Sequence, residues 1–183
     1  MNKRKLSVKD IVIAGMFSAI IAVLSIISIP TPFGIPVTLQ TFAIALCGYV
    51  LGWKLGLFST TIYILVGAIG LPVFAGFSSG FGALFGMTGG FIWGFLFLAV
   101  LCGLQAHSGN KLINIALGLL GLIICHILGI IQFSLVTSTS LIKSFFLVSS
   151  SFLIKDVISI VGAYFASIAI NNATSKMGYN RNV

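Results

Sequence analysis

Asp156 is one of two acidic residues in a chain of 183, and it stands beside Lys155 at the start of the last long apolar stretch. An ionisable side chain inside a membrane span costs roughly 2.5–3.5 kcal/mol on insertion scales, so it marks a functional site by default. The chemistry open to this pair is recognition. Lys155 suits an acidic group, and Asp156 accepts hydrogen bonds from amide or ureido N–H groups. Neighbours on a helix point about 100° apart, so the two side chains are expected to meet a ligand or separate neighbours rather than each other. Catalysis has little to work with. Asp10, the other acid, lies in a basic leader, and no Ser is expected beside a His base. The sequence holds no HExxH, no GxSxG and no GxxxxGK[ST]. His107 and His126 lack a second ligand at metal spacing, and Cys47, Cys102 and Cys125 read as small packing residues. No catalytic residue, metal or cofactor is expected.

The elements that must position Lys155 and Asp156 are membrane helices. Mean hydropathy is +1.19 and charged residues make up 7%, against about 25% in a soluble domain. A span needs about 20 apolar residues, and the pattern predicts six, at about 11–29, 37–53, 55–73, 91–104, 112–136 and 152–170. The expected fold is therefore an all-α integral membrane protein forming a single domain over 1–183. The formal net charge of +8 reflects orientation in the membrane and not nucleic-acid binding. Six spans with the leader inside also put Lys54, Lys111, Lys176 and Arg181 inside, which follows the positive-inside rule and makes both termini cytoplasmic. The leader lacks a small-residue cleavage site and reads as an anchored first helix.

This arrangement gathers three irregular or polar segments at the outer face. They are the Pro-rich turn leading to Thr38 and Gln40, the Gly-rich loop over 76–90, and the Lys155–Asp156 entrance. Backbone that is not helical at membrane depth must be buried in protein or line a cavity, so the loop is a candidate ligand wall, with a tight connection as the alternative. On the first helix, Ala14, Ser18 and Ala22 form one small-residue row and Gly15 and Ala19 another. Either lets a second helix approach closely.

Three strings carry a resemblance. Ile35-Pro36-Val37-Thr38-Leu39-Gln40-Thr41 is the first. The second is Gly67-Ala68-Ile69-Gly70-Leu71-Pro72-Val73-Phe74-Ala75-Gly76, and the third is Gly86-Met87-Thr88-Gly89-Gly90-Phe91. Over nearly its whole length the chain resembles the BioY family, the biotin-specific substrate-binding components (S-components) of energy-coupling factor (ECF) transporters. The resemblance implies a six-helix S-component fold with a biotin pocket near the outer face of the cell membrane. It implies substrate contacts from Gln40, Phe77, Ser78, Ser79, Gly90, Phe91 and Asp156. The family's Lys position is Ser159 here, and Lys155, one turn earlier, is expected to supply the cation. Some members carry an Arg where this chain has Ile92, which leaves the partner of the ligand carboxylate open. The resemblance also implies docking of Ala14, Ser18 and Ala22 onto a transmembrane coupling subunit that joins two ATPase subunits, within membrane lipid. An S-component for another vitamin and a ligand-free membrane scaffold are the alternatives.

Overall fold

Ser7 caps the first helix, α1 (Val8–Ile26), through a reciprocal box in which its hydroxyl accepts from Asp10 N and Asp10 accepts from Ser7 N. One of the two acids is thus a helix cap, which places negative charge at the positive end of the helix dipole. The computed structural model describes residues 7–29, 36–104 and 110–176. The leader cations Lys3, Arg4 and Lys5, most of the Pro-rich turn, His107 and Arg181 lie outside the described residues.

After α1 the chain forms an antiparallel ribbon, β1 (Ser28–Ile29) with β2 (Val37–Thr38), in the register Ser28↔Thr38 and Ile29↔Val37. The sequence reading had continued helix one to residue 29, and the ribbon replaces its last turn. The next helical segment, α2 (Gln40–Ala68), is broken at Gly52, which has φ 74 and ψ 169. Only glycine takes that conformation without strain. The helix folds back there. Gln40 Nε2 donates to Tyr63 Oη at 2.5 Å, although 23 residues of straight helix would separate them by about 34 Å. A Cβ on Gly56 would lie 3.1 Å from Gly48 Cα. The two expected helices are therefore the legs of one hairpin, 40–51 and 53–68.

A 3-10 turn (Ala75–Phe77) and a short helix, α3 (Gly80–Phe85), occupy the Gly-rich segment. Then follow α4 (Gly89–Gly103), α5 (Lys111–Thr137), α6 (Leu141–Val148) and α7 (Ser150–Lys176). Neither α3 nor α6 was foreseen. Each is a short helix inside a stretch that reads as a connection by composition. The helix α4 packs between α2 and α5, while α1 and α7 pack on α2. Among the described residues four helices are long and apolar enough to cross a membrane, and α4 is a shorter apolar helix. The chain is a multi-pass membrane protein.

The small-residue row of α1 faces inward. Ala14 is fully buried, and Ser18 Oγ shares its proton between Ala14 O at 2.8 Å and Ser59 O, on the second leg of α2, at 2.7 Å. Ala22 is half-buried and packs on the core. The expected docking row thus packs against α2 at Ala14 and Ser18, and Ala22 is its half-buried end. Small side chains permit close helix approach whichever helix does the approaching. The outward row is the other one. A Cβ at Gly15 would meet nothing within 4 Å, and Ala19, Ile20, Val23 and Leu24 line a shallow apolar groove.

Candidate ligand-binding site

At the ribbon end of the bundle lies a cavity of about 680 Å³, within the 300–1,000 Å³ range of small-molecule sites. Its position follows from the helix ends. The first leg of α2 starts there, its second leg returns there, α4 and α7 start there, and α5 ends there. Gln40, Thr41, Lys155 and Asp156 near helix starts and His126 from within α5 supply polar groups, and Phe91, Ile92, Phe95, Leu122 and Phe152 supply apolar wall.

Asp156 and Lys155 both line the cavity. Asp156 is 5% exposed. Lys155 Nζ lies 2.5 Å from Asp156 Oδ1 and donates to Thr38 O at 3.0 Å. The pair therefore closes, contrary to the expected divergence. The Lys stem has four methylenes, enough to bring the ammonium round from its own helix face to the neighbouring carboxylate and across to β2. The contact at Oδ1 is an ion pair without regular hydrogen-bond geometry, so this oxygen can still accept a hydrogen bond. The other oxygen, Oδ2, lies 3.3 Å from His126 Nε2. His126 Nδ1 in turn lies 2.6 Å from Ser149 Oγ. A Ser does stand beside a His here, against the sequence reading, because α5, α6 and α7 converge at this end. His126 and Ser149 are site residues that sequence reasoning missed.

The opposite wall is the Gly-rich segment. Ser78 and Ser79 line the cavity, and Ser78 Oγ donates to Ala75 O at 2.8 Å. Phe77 does not line it. Its φ of 58 fits the tight turn, and its side chain faces outward, the residue being 66% exposed. Two hydrogen bonds from Gln132 Nε2 hold this segment to α5, to Leu84 O at 2.9 Å and Gly86 O at 2.8 Å. Trp93 Nε1 adds a third, to Leu84 O at 3.2 Å. The sequence reading passed over Gln132. Its signal was a lone amide inside an apolar run.

Gln40 lines the cavity, with its amide held by Tyr63. Phe91 lines it too, edge-on to the His126 ring at 5.6 Å between centroids. Gly90 does not. A Cβ there would sit 2.2 Å from Leu128 O, so this glycine lets α4 touch the α5 backbone. Ser159 is buried one turn beyond Asp156, outside the cavity lining. Among the described residues Lys155 is the one cation on the wall. The arrangement suits a small ligand with an apolar body and N–H donors directed at Asp156.

A model of the BioY family matches residues 1–176. A biotin transporter BioY of Thermotoga maritima is 42% identical over 123 residues, covering 67% of this chain and 72% of the relative. Another biotin transporter BioY, from Rhodobacter capsulatus, is 39% identical over 140 residues, 73% of each chain. Among solved structures, the crystal structure of the S-component for biotin from an ECF-type ABC transporter matches with a TM-score of 0.82. It shares 27% identity and covers 94% of both chains.

Proposed function

The chain belongs to the BioY family, and we propose that it is the biotin-binding S-component of an ECF transporter, a transport component and not an enzyme. The observation that carries this reading is the buried Asp156, paired with the half-buried Lys155, on the wall of an otherwise largely apolar cavity. Asp156 accepts from ureido N–H groups of biotin, Gln40 and the Ser78–Ser79 edge border the ligand, and Phe91 packs on its apolar part. Six spans result when both legs of α2 are counted. Lys9, Lys54, Lys111 and Lys176 lie at the end away from the cavity, and Lys143 and Lys155 at the cavity end. Lys54 and Trp53, whose ring centroid lies 5.3 Å from Lys54 Nζ, suit an interfacial anchor. By the positive-inside rule the cavity faces the exterior of the cell membrane and both termini face the cytoplasm.

Equilibrium binding of biotin to detergent-purified protein tests the reading, with Asp156→Asn alongside. One-to-one binding is expected, weakened at least tenfold by Asp156→Asn, about 1.4 kcal/mol. A second reading, another vitamin as ligand, is favoured by Ser159 at the family's Lys position. Competition with desthiobiotin and other vitamins in the same assay separates the two.

Delivery inward requires an ECF module, a transmembrane coupling subunit with two ATPase subunits, in membrane lipid. The outward face of α1 through Gly15, Ala19 and Val23 fits that coupling subunit. Ala19→Trp is expected to abolish uptake with biotin binding intact, whereas Ala14→Trp is expected to collapse the α1–α2 packing and lower Tm. Retained uptake in Ala19→Trp would remove α1 from the interface.

A further inference from the structure

We infer that His126 is a positioning residue for Asp156, itself oriented by Ser149 at the junction of α6 and α7. The inference rests on the reading of Asp156 as a ligand contact.

The geometry sets the direction of the hydrogen-bond chain. His126 Nε2 faces Asp156 Oδ2 at 3.3 Å, and Nδ1 faces Ser149 Oγ at 2.6 Å. A neutral ring has two tautomers. With the proton on Nδ1, the Nε2 lone pair would point at a carboxylate oxygen inside a buried site, which is repulsive. The proton therefore sits on Nε2, directed at Asp156, and Ser149 donates its hydroxyl to Nδ1. The chain runs Ser149 to His126 to Asp156, and Lys155 reaches the same carboxylate from the other side. Each oxygen thereby has a neighbour on the protein side, which restricts rotation of the carboxylate while Oδ1 stays able to accept from a ligand.

Ser149 is well placed to anchor such a chain. Its N–H donates to Phe145 O at 3.0 Å, and its carbonyl accepts from Phe152 N at 3.1 Å and Leu153 N at 3.0 Å. It thus ends α6 and starts α7 in one residue. The α5–α6 connection is itself stitched by Thr137, Thr139 and Ser144 hydroxyls, each step 2.8 Å. Phe91 clamps the other side of the imidazole, edge-on at 89°. Ser149 is 1% exposed and does not line the cavity, whereas His126 does. The orientation of the imidazole is thus set from outside the ligand's reach.

The test is biotin affinity and ligand-free Tm for wild type, Asp156→Asn, His126→Ala, His126→Gln, Ser149→Ala and the His126→Ala/Ser149→Ala double variant. His126→Ala is expected to weaken binding about tenfold. His126→Gln, whose amide can still donate to Asp156, should recover to within about threefold of wild type. Ser149→Ala should lose about three- to fivefold, and the double variant should bind no more weakly than His126→Ala, since both act through one ring. Wild-type affinity in His126→Ala, or additive losses in the double variant, would overturn the inference while leaving Asp156 as ligand contact. If His126→Ala does not fold, Gln rescue and the Ser149→Ala loss decide it, and a Gln variant that folds but binds more than tenfold weaker overturns it. Unchanged affinity in Asp156→Asn would overturn both this inference and the reading beneath it.

Discussion

The two walls of the cavity are built by different physics. The α7 wall is held by charge and side chains: Lys155, Asp156, His126 and Ser149 in one connected chain. The Gly-rich wall carries no charge, and it is held by backbone carbonyls of Leu84 and Gly86 that accept from Gln132 and Trp93. The first arrangement selects, because a buried carboxylate discriminates strongly between ligands that donate to it and ligands that do not. The second arrangement shapes. It brings backbone close to the ligand space and keeps it there with donors that come from other helices. The largest mutational effects should therefore arise where charge is orphaned, and smaller ones where a carbonyl loses one of two donors.

Lys155→Met tests the charged wall most severely. It keeps most of the stem's packing and removes the ammonium, which leaves Asp156 without its cation. Breaking a buried pair by removing one partner costs about 3–5 kcal/mol, because an uncompensated charge remains. Lys155 is partly exposed on the cavity side, so the lower end of that range is expected. A thermal unfolding scan should show a clearly lowered Tm, and biotin affinity should fall at least tenfold. A variant as stable as wild type would mean that the ammonium is not the main stabiliser of Asp156.

Gln132→Ala tests the other wall. It leaves Gly86 O with Gly89 N alone and Leu84 O with Trp93 alone. Each lost hydrogen bond contributes about 0.5–1.5 kcal/mol while a second donor remains on the carbonyl, so the Tm should drop less than in Lys155→Met. The two walls should also differ in kinetics. A loosened loop wall should raise the biotin dissociation rate, while the recognition of N–H donors stays with Asp156. Ligand selectivity, read as the ratio of biotin to desthiobiotin affinity, should therefore hold in Gln132→Ala. A changed ratio would make the Gly-rich wall a selecting surface and erase the contrast.

The sequence made the two walls legible to different degrees, for physical reasons. An Asp in an apolar run is costly wherever it lies, so Asp156 stood out without any structure. The apolar stretches located the helices to within a few residues, and the Gly-rich segment announced irregular backbone. What holds each wall was hidden. Ser149 lies 23 residues from His126, and Gln132 lies 46 and 48 residues from the carbonyls it serves. Such pairings depend on which helix ends meet, and periodicity along one helix does not reveal them. The same limit leaves the partner of the α1 row open in the sequence. Small-xxx-small spacing says that something packs there, but whether it is α2 or another subunit is a tertiary fact. The pairing of Lys155 with Asp156 was missed for a third reason, since helical angles constrain Cβ directions and not the ends of long flexible stems.

Ser78 gives the smallest predicted effect, and it sharpens the contrast most finely. The family resemblance makes it a polar ligand contact, yet its hydroxyl proton is already donated to Ala75 O within its own turn. The residue is exposed on the cavity rim, where water replaces a lost hydrogen bond at little cost. As a clasp of the turn, Ser78 can offer the ligand only its oxygen lone pairs. Ser78→Ala should then change biotin affinity by less than about threefold, with Tm nearly unchanged. A loss beyond tenfold with an unaltered Tm would mean that the hydroxyl leaves Ala75 and turns to the ligand on binding. In that case the loop wall would contribute a selecting side chain of its own, and the division of labour between the two walls would have to be drawn at Ser78 rather than at the edge of α7.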